Sequence, residues 1–208
     1  MKKLDKFLDK ESEKTMILYA TKETVKKYDI PMPEEFEDKK IREMLIAVGE
    51  NEEGKEIFEW GMKVFYFDRR KCLQLVNFSS KFTIFLIDVK KKELSDSINL
   101  LAFYLKEIYA DNPKILKYIK KYFEEASIVV FSKLKNQSII ATLNNTQRSF
   151  ALDGERFYNY IKNGVLKSVE LNKEVNSDWI FREKINNKQN YFYPKDKFAE
   201  KLIEYYKH

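Results

Sequence analysis

Between Ile57 and Val89 three strand-like runs follow one another with only a few polar residues between them: IFEWGMKVFYFD, RRKCLQLVN and KFTIFLIDV. Each is rich in Phe, Tyr, Val and Ile, whose flat or branched side chains suit a pleated, half-buried surface. Separations this short predict three consecutive antiparallel strands. The rest of the chain has to supply cover for that sheet.

The flanking segments supply both strand and helix. Thr15–Thr21 (TMILYAT) is a short apolar run, and Thr21 with Thr24 can cap a turn of helix through Val25 and Tyr28. Pro31 and Pro33 break the chain, after which Ile41, Met44, Leu45 and Val48 share one helical face, with Gly49 as the expected stop. Beyond the three strands, Ile98, Leu101, Ala102, Leu105 and Ile108 predict a helix capped by Ser95 or Asp96. Asn112 and Pro113 open another, apolar through Ile115, Leu116, Ile119 and Phe123. SIVVFSK and SIIATLN then read as a second hairpin turning at LKNQ. In the last third, residues 153–162 suggest a short helix stopped at Asn163-Gly164, VLKSVEL, DWIFREK and NYFYP suggest three short strands, and Pro194 starts a terminal helix through Phe198, Leu202 and Tyr205. The order of elements predicts an α+β fold: an antiparallel or mixed sheet with helices packed on it, plus a small β-rich and helical C-terminal extension. Residues 1–14 read as an N-terminal helical extension, 15–150 as the α+β domain and 151–208 as the C-terminal extension ending in a helix.

Composition narrows the chemistry. The 208 residues contain one cysteine, Cys72, and one histidine, His208. Disulfides, zinc clusters, Cys-His and Ser-His-Asp nucleophile systems and histidine general bases are therefore out of reach of a single chain. Cys72 sits in an apolar strand and reads as a buried small hydrophobe. The formal net charge of +6 comes from 39 basic and 33 acidic side chains, interspersed, which chiefly confers solubility. The basic excess falls in residues 51–150, with 17 basic and 12 acidic side chains, and only six of the 39 basic residues are arginine, a weak argument against bidentate reading of base edges. No apolar run approaches the ~18 residues of a membrane span, and the first residues lack the apolar stretch of a signal peptide. A cytoplasmic protein with no membrane partner and no cofactor is the expectation.

The tetrapeptide ATKE at Ala20–Glu23, Trp60, DRRKCLQLVN at Asp68–Asn77 and KNQSIIATLNN at Lys135–Asn145 together resemble an uncharacterised bacterial domain family of unknown function often found on plasmids and other mobile elements. The resemblance covers about Met16 to Asn145. It departs from the family pattern at Glu23, Gln137 and Ala141, where lysine, arginine and glycine are common. It implies a small α+β fold and a mobile-element setting, and it carries no activity.

Three constellations stand out among the residues themselves. Asp88 and Lys90 are two apart at a strand end, and Asp68 closes an earlier strand. In outline this is the Asp…Asp-x-Lys pattern of restriction-endonuclease-like nucleases, in which carboxylates hold Mg²⁺ and lysine positions the attacking water; the ordinary alternative is solvated strand ends. The second set is basic: Arg69, Arg70 and Lys71 between two strands, the helical lysines Lys114, Lys117 and Lys121, and Arg148, candidates for phosphate or partner binding if they converge. The third is the C-terminal aromatic series Trp179, Phe181, Tyr191, Phe192, Tyr193, Phe198, Tyr205 and Tyr206, which must pack on the domain or present an apolar patch. Trp60 reads as a core anchor and Asn77 as a ligand of its own turn. With no usable catalytic set, the expected function is that of a non-enzymatic binding protein of a phage or mobile element. It would occupy a host protein or ribonucleoprotein, for instance as an inhibitor of a bacterial defence system such as an anti-CRISPR protein. A metal-dependent nuclease using Asp68, Asp88 and Lys90, or an antitoxin-like nucleic-acid binder, are the alternatives.

Overall fold

The three central runs become β2 (Glu59–Phe67), β3 (Arg70–Asn77) and β4 (Thr83–Ile87), paired antiparallel with Phe67 opposite Arg70 and Val76 opposite Thr83. The computed structural model describes residues 14–52, 55–126, 128–152, 157–186 and 188–207; the expected N-terminal helical extension lies outside them. β1 (Thr15–Ala20) adds to β2 in parallel, and β5 (Ile128–Lys133) adds to β1 in parallel. The result is a mixed five-stranded sheet in the order β4-β3-β2-β1-β5. With seven α-helices among the described residues, α1 (Lys22–Tyr28), α2 (Lys39–Glu52), α3 (Ser97–Ile108), α4 (Pro113–Glu125), α5 (Gln137–Leu152), α6 (Ser168–Ser177) and α7 (Pro194–Tyr206), the architecture is α+β.

Strand alternation divides the sheet into two faces. Met16, Leu18, Trp60, Met62, Leu73, Leu75, Ile84 and Leu86 are buried on one face and share a core with residues of α3, α4 and α7 such as Leu101, Leu105, Ile115, Ile119, Phe198 and Leu202. Trp60 is a core anchor, wholly buried, and its Nε1 donates to the Tyr122 hydroxyl at 2.9 Å, which donates in turn to the Ile57 carbonyl at 2.9 Å. A buried indole N–H needs such a partner. The other face carries Gly61, Val76, Cys72 and Phe85. α5 lies over its centre through Ile139 and Leu143, and α6 over its β4 side through Leu171 and Val175. Gly61 sets the approach of α5: a Cβ there would stand 2.3 Å from Ile139 Cγ2.

Two expected strands are helices instead. SIIATLN forms the start of α5, because Asn136 caps it, its Oδ1 accepting from the Ile139 N–H at 3.1 Å. Its buried residues Ile139, Leu143 and Thr146 follow a helical period, which the β-branched Ile139, Ile140 and Thr142 disguise. β5 consequently has no hairpin partner and pairs with β1. Likewise VLKSVEL contributes only the two residues of β7 (Val165–Leu166) and then the first turn of α6. Gly49 does not stop α2, which runs on to Glu52. The N-cap position of α3 is held by Asp96, without a side-chain cap bond. Within 153–162, residues Phe157–Tyr160 form a 3-10 turn, followed by β6 (Ile161–Lys162), which pairs with β7 across Asn163-Gly164, both at positive φ; residues 153–156 lie outside the described set. The C-terminal hairpin β8 (Phe181–Ile185) and β9 (Lys188–Phe192) and the terminal helix from Pro194 form where the sequence puts them.

The two edges of the sheet are treated differently. On β4, Asn176 accepts from the Thr83 N–H at 2.8 Å and donates to the Thr83 carbonyl at 2.6 Å. One turn earlier, Asn172 does the same for Phe85, at 2.7 and 3.1 Å. Side chains four apart on a helix rise ~6 Å, close to the ~6.8 Å between alternate strand residues, so one face of α6 serves as a surrogate strand. Among the described residues, the edge at β5 receives no such side-chain cover. The Leu134 N–H donates to Ala20, and strand alternation then turns the N–H and C=O groups of Val129, Phe131 and Lys133 outward. Among the described residues no hydrogen bond reaches those groups.

Candidate functional site

Beside the open edge lies a groove of about 580 Å³, between α2 and the part of the reverse sheet face contributed by β1 and β5. Its floor is Ile17, Tyr19, Val130 and Ser132; its roof is Leu45, Ile46, Gly49 and Glu50 of α2, with Pro33 and Glu34 at one end. Only a few α2 side chains pack at all, and Ile41 and Met44 are exposed at 42% and 45%. Glu34, Glu50, Glu56 and Glu59 line the groove against Lys133 and Lys135, so this basic protein carries an acid-lined groove.

Glu59 is the singular residue there. It is 3% exposed, the one buried charged residue among those described. Its position at the start of β2 puts its side chain on the face opposite Trp60. The Tyr19 hydroxyl donates to its Oε1 at 3.3 Å, and the Tyr19 ring stacks on Phe78 at 4.9 Å. The turn after β3 fixes Phe78. Asn77 Oδ1 accepts from Ser79 Oγ, the Ser80 N–H and Ser80 Oγ, while Nδ2 donates to the Ile57 and Glu59 carbonyls. Asn77 therefore ligates its own turn, as its strand-end position suggests. The sequence offered a signal for Glu59: an acidic residue inside an apolar run, one position before the core tryptophan.

The residues singled out from the sequence are scattered. Arg69, Arg70, Lys71, Asp68, Asp88 and Lys90 gather at one end of the sheet, where β2 turns into β3 through Asp68 and Arg69 at φ 46 and 64. Arg70 donates to Asp88 Oδ2 at 2.6 Å, and Asp88, at φ 57, has left the strand. The alternation that would place Asp88 and Lys90 on one face is therefore broken. Lys90 sits in the next turn, its N–H bonded to Glu93. Among the described residues no three His, Cys, Asp or Glu side chains are grouped to hold a metal ion. At the same end Lys71 Nζ stands 4.7 Å from the Tyr28 ring centroid, and burial pushes the Tyr28 hydroxyl up to about 12. Lys91 pairs with Asp29 at 2.8 Å and holds that carboxyl below the usual range.

Lys114, Lys117 and Lys121 are exposed on α4, whereas Arg148 is exposed on α5 across the sheet. The seven basic residues proposed from the sequence thus do not form one surface. Lys121 is engaged locally, with Glu125 at 3.5 Å and the Tyr206 ring at 4.5 Å. Asn144 fastens α5 to the sheet by accepting from Lys63 Nζ at 2.7 Å. Cys72 is buried, and burial with the nearby Asp88 charge raises its thiol to about 12, the setting of an inert thiol.

No helix among the described residues is long and apolar enough to cross a membrane. No curated protein matches the chain, and no solved structure matches it. One family model, described as a domain of unknown function, DUF6933, matches residues 17–197, a span that runs from β1 to the first turn of α7 and includes the DRRK turn, Asn77, Asn144 and both edge asparagines. The chain belongs to this family of unknown function, DUF6933.

Proposed function

We propose that the protein is a non-enzymatic binding protein that takes an extended segment of another protein as a sixth strand on β5, in the acid-lined groove beneath α2. The observation that carries this reading is the contrast between the two edges. Asn172 and Asn176 close β4, whereas the outward groups of Val129, Phe131 and Lys133 are left without partners among the described residues. An open edge is an aggregation liability unless it is used, and strand addition uses it through main-chain hydrogen bonds with side-chain pockets for specificity. Gly49 supports the same reading. It faces the groove, a Cβ there would meet nothing within 4 Å, and glycine in mid-helix is unfavourable by ~0.5–1 kcal/mol relative to alanine. Four glutamates facing two lysines favour a segment whose side chains alternate basic and aliphatic. The partner's identity as a host macromolecule, and the setting in a phage or mobile element, rest on the sequence resemblance alone; a defence-system inhibitor such as an anti-CRISPR protein is one form this would take.

The test is selection from a library of random extended peptides, followed by amide hydrogen exchange on the complex. Enrichment of alternating basic and aliphatic residues, with slowed exchange at Val129, Phe131 and Lys133, is expected. Binders that leave those three amides unprotected would refute the reading.

A second reading has an observation of its own. The structure brings Arg69–Lys71 and Lys90–Lys92 to one end of the sheet beside Tyr66, which is 55% exposed, and such an end can hold nucleic acid by charge and stacking. Asp88 and Asp29 offset part of that charge, which ranks it second. Affinity for single-stranded RNA or DNA that does not fall with salt would exclude it.

A further inference from the structure

Adjoining the β5 groove, with which it shares Glu56, Phe78 and Asn136, is a cleft of about 910 Å³ walled by the Asn77–Phe82 turn, the start of α5, the β8–β9 hairpin and the first turns of α7. Its size is within the range of small-molecule sites. Three charged groups form its inner wall. Glu183 and Lys197 pair with each other, their side chains 21% and 12% exposed, and Asn190 Nδ2 donates to Glu183 at 3.1 Å. The third group is Lys81. Its backbone is left-handed at φ 60, an uncommon conformation for a non-glycine residue, and its Nζ donates to the Phe78 carbonyl at 3.1 Å. Among the described residues no carboxylate lies within 4 Å of Lys81 Nζ. Glu56 and Glu183 act on it only from farther off, while Lys197 opposes it; burial is the largest influence and draws its ammonium below the ordinary lysine value.

The inner wall therefore carries one cation in excess, half-buried, with N–H donors to spare. A buried charge of this kind gains from a counter-charge that enters with it. At the rim, Tyr191 and Tyr193 are 62% and 39% exposed and offer flat faces. The rim acids Glu56, Asp196 and Glu200 are solvated, and they disfavour polyanions more than a single charge.

We infer that this cleft binds a small organic anion, a carboxylate or phosphate monoester carried on a flat apolar group, with Lys81 as its cationic contact and the two tyrosines against the apolar part. The probe is pyridoxal 5′-phosphate, which joins an oxyanion, a ring and an aldehyde. The Lys81 amine attacks the aldehyde, water leaves to give the imine, and borohydride then reduces the C=N bond by adding hydride to carbon while nitrogen takes a proton. The full-length protein is labelled with a limiting amount, and the sites are read by peptide mass mapping, with benzoate or inorganic phosphate as competitor. Expected is labelling of Lys81 several-fold faster than the solvated lysines Lys114 and Lys117, slowed by at least one competitor; the one that protects identifies the oxyanion. Labelling of Lys81 no faster than Lys114 and Lys117, or unaffected by both competitors, would overturn the inference.

Discussion

Replacing Asn176 by alanine tests whether the side chains of α6 really complete the edge of β4. The substitution removes the acceptor of the Thr83 N–H at 2.8 Å and the donor to the Thr83 carbonyl at 2.6 Å. Thr83 is wholly buried, so neither group gains water in exchange. A buried polar group left unsatisfied costs ~1–3 kcal/mol, and two such groups with partial relaxation give a loss of ~2–4 kcal/mol. Helix propensity runs the other way, since alanine favours helix over asparagine by ~0.5 kcal/mol. A loss is therefore not a propensity effect: it reports the strand edge together with the bond from Nδ2 to the Asn172 carbonyl and the space the buried side chain vacates. Against a total stability of ~5–15 kcal/mol for a domain, the effect is easily read by urea unfolding at 25 °C, as a fall in midpoint with unchanged slope. Asn99→Ala, at an exposed position on α3, is the control and should lie within ~0.5 kcal/mol of wild type. Asn176→Asp separates hydrogen bonding from packing, because it keeps the shape but sets an oxygen against the Thr83 carbonyl. Burial raises the folded-state pKa of the new carboxyl above its unfolded value, so its penalty is largest near pH 7 and shrinks as the pH falls and the group is protonated. Losses below ~0.5 kcal/mol in both variants would refute the surrogate-strand argument.

Four further outcomes follow from the geometry. Tyr122→Phe strips the Trp60 N–H of its acceptor and leaves the Ile57 carbonyl with its bond from Asn77 alone, and should lower stability by ~1–3 kcal/mol, with a changed tryptophan near-ultraviolet spectrum as the local check. Gly49→Ala should raise stability by ~0.5–1 kcal/mol, since the site is sterically open, while weakening any peptide selected for the groove; unaltered peptide affinity would count against the groove as the docking surface. For Glu183, burial pushes the carboxyl up, but hydrogen bonds from Lys197 and Asn190 outweigh it and hold the carboxyl below its ordinary value. A depressed folded pKa contributes stability above the unfolded value that is lost as pH falls through the folded one. Glu183→Gln should accordingly be less stable than wild type at pH 7 in urea titrations, with the difference shrinking as the pH falls below the ordinary carboxylate value. The Cys72 thiol, raised to about 12 by burial and by Asp88, should resist an aromatic disulfide reagent at pH 8 in the native protein and react at once in urea.

The edge asparagines and the groove glutamate also mark where reading along the chain stops. Residues 57–89 specify their own meander, because alternation, short turns and β-favouring side chains act between neighbours. Asn112 with Pro113 likewise determines α4, its side chain accepting from the Ile115 N–H at 3.2 Å. Where local signals conflict, the reading fails: Ile139, Ile140 and Thr142 favour a strand, but the Asn136 cap and the close approach over Gly61 make them helix. The basic residues look like one set only in one dimension; the sheet puts α4 and α5 on opposite faces and separates them.

What the sequence alone determined is therefore local and compositional: the α+β class, the central meander, the capped helices, the burial of Trp60, and a chain with a single cysteine and a single histidine. Tertiary structure decided the rest. It paired β5 with β1 rather than with a hairpin neighbour, laid two asparagines of α6 along β4 some ninety residues away, and left Glu59 and Lys81 lining adjoining clefts. The physical reason is range. Turn, cap and periodicity energies depend on residues a few positions apart, whereas an open strand edge or an unneutralised cation exists only once distant segments have packed, or failed to pack, against it.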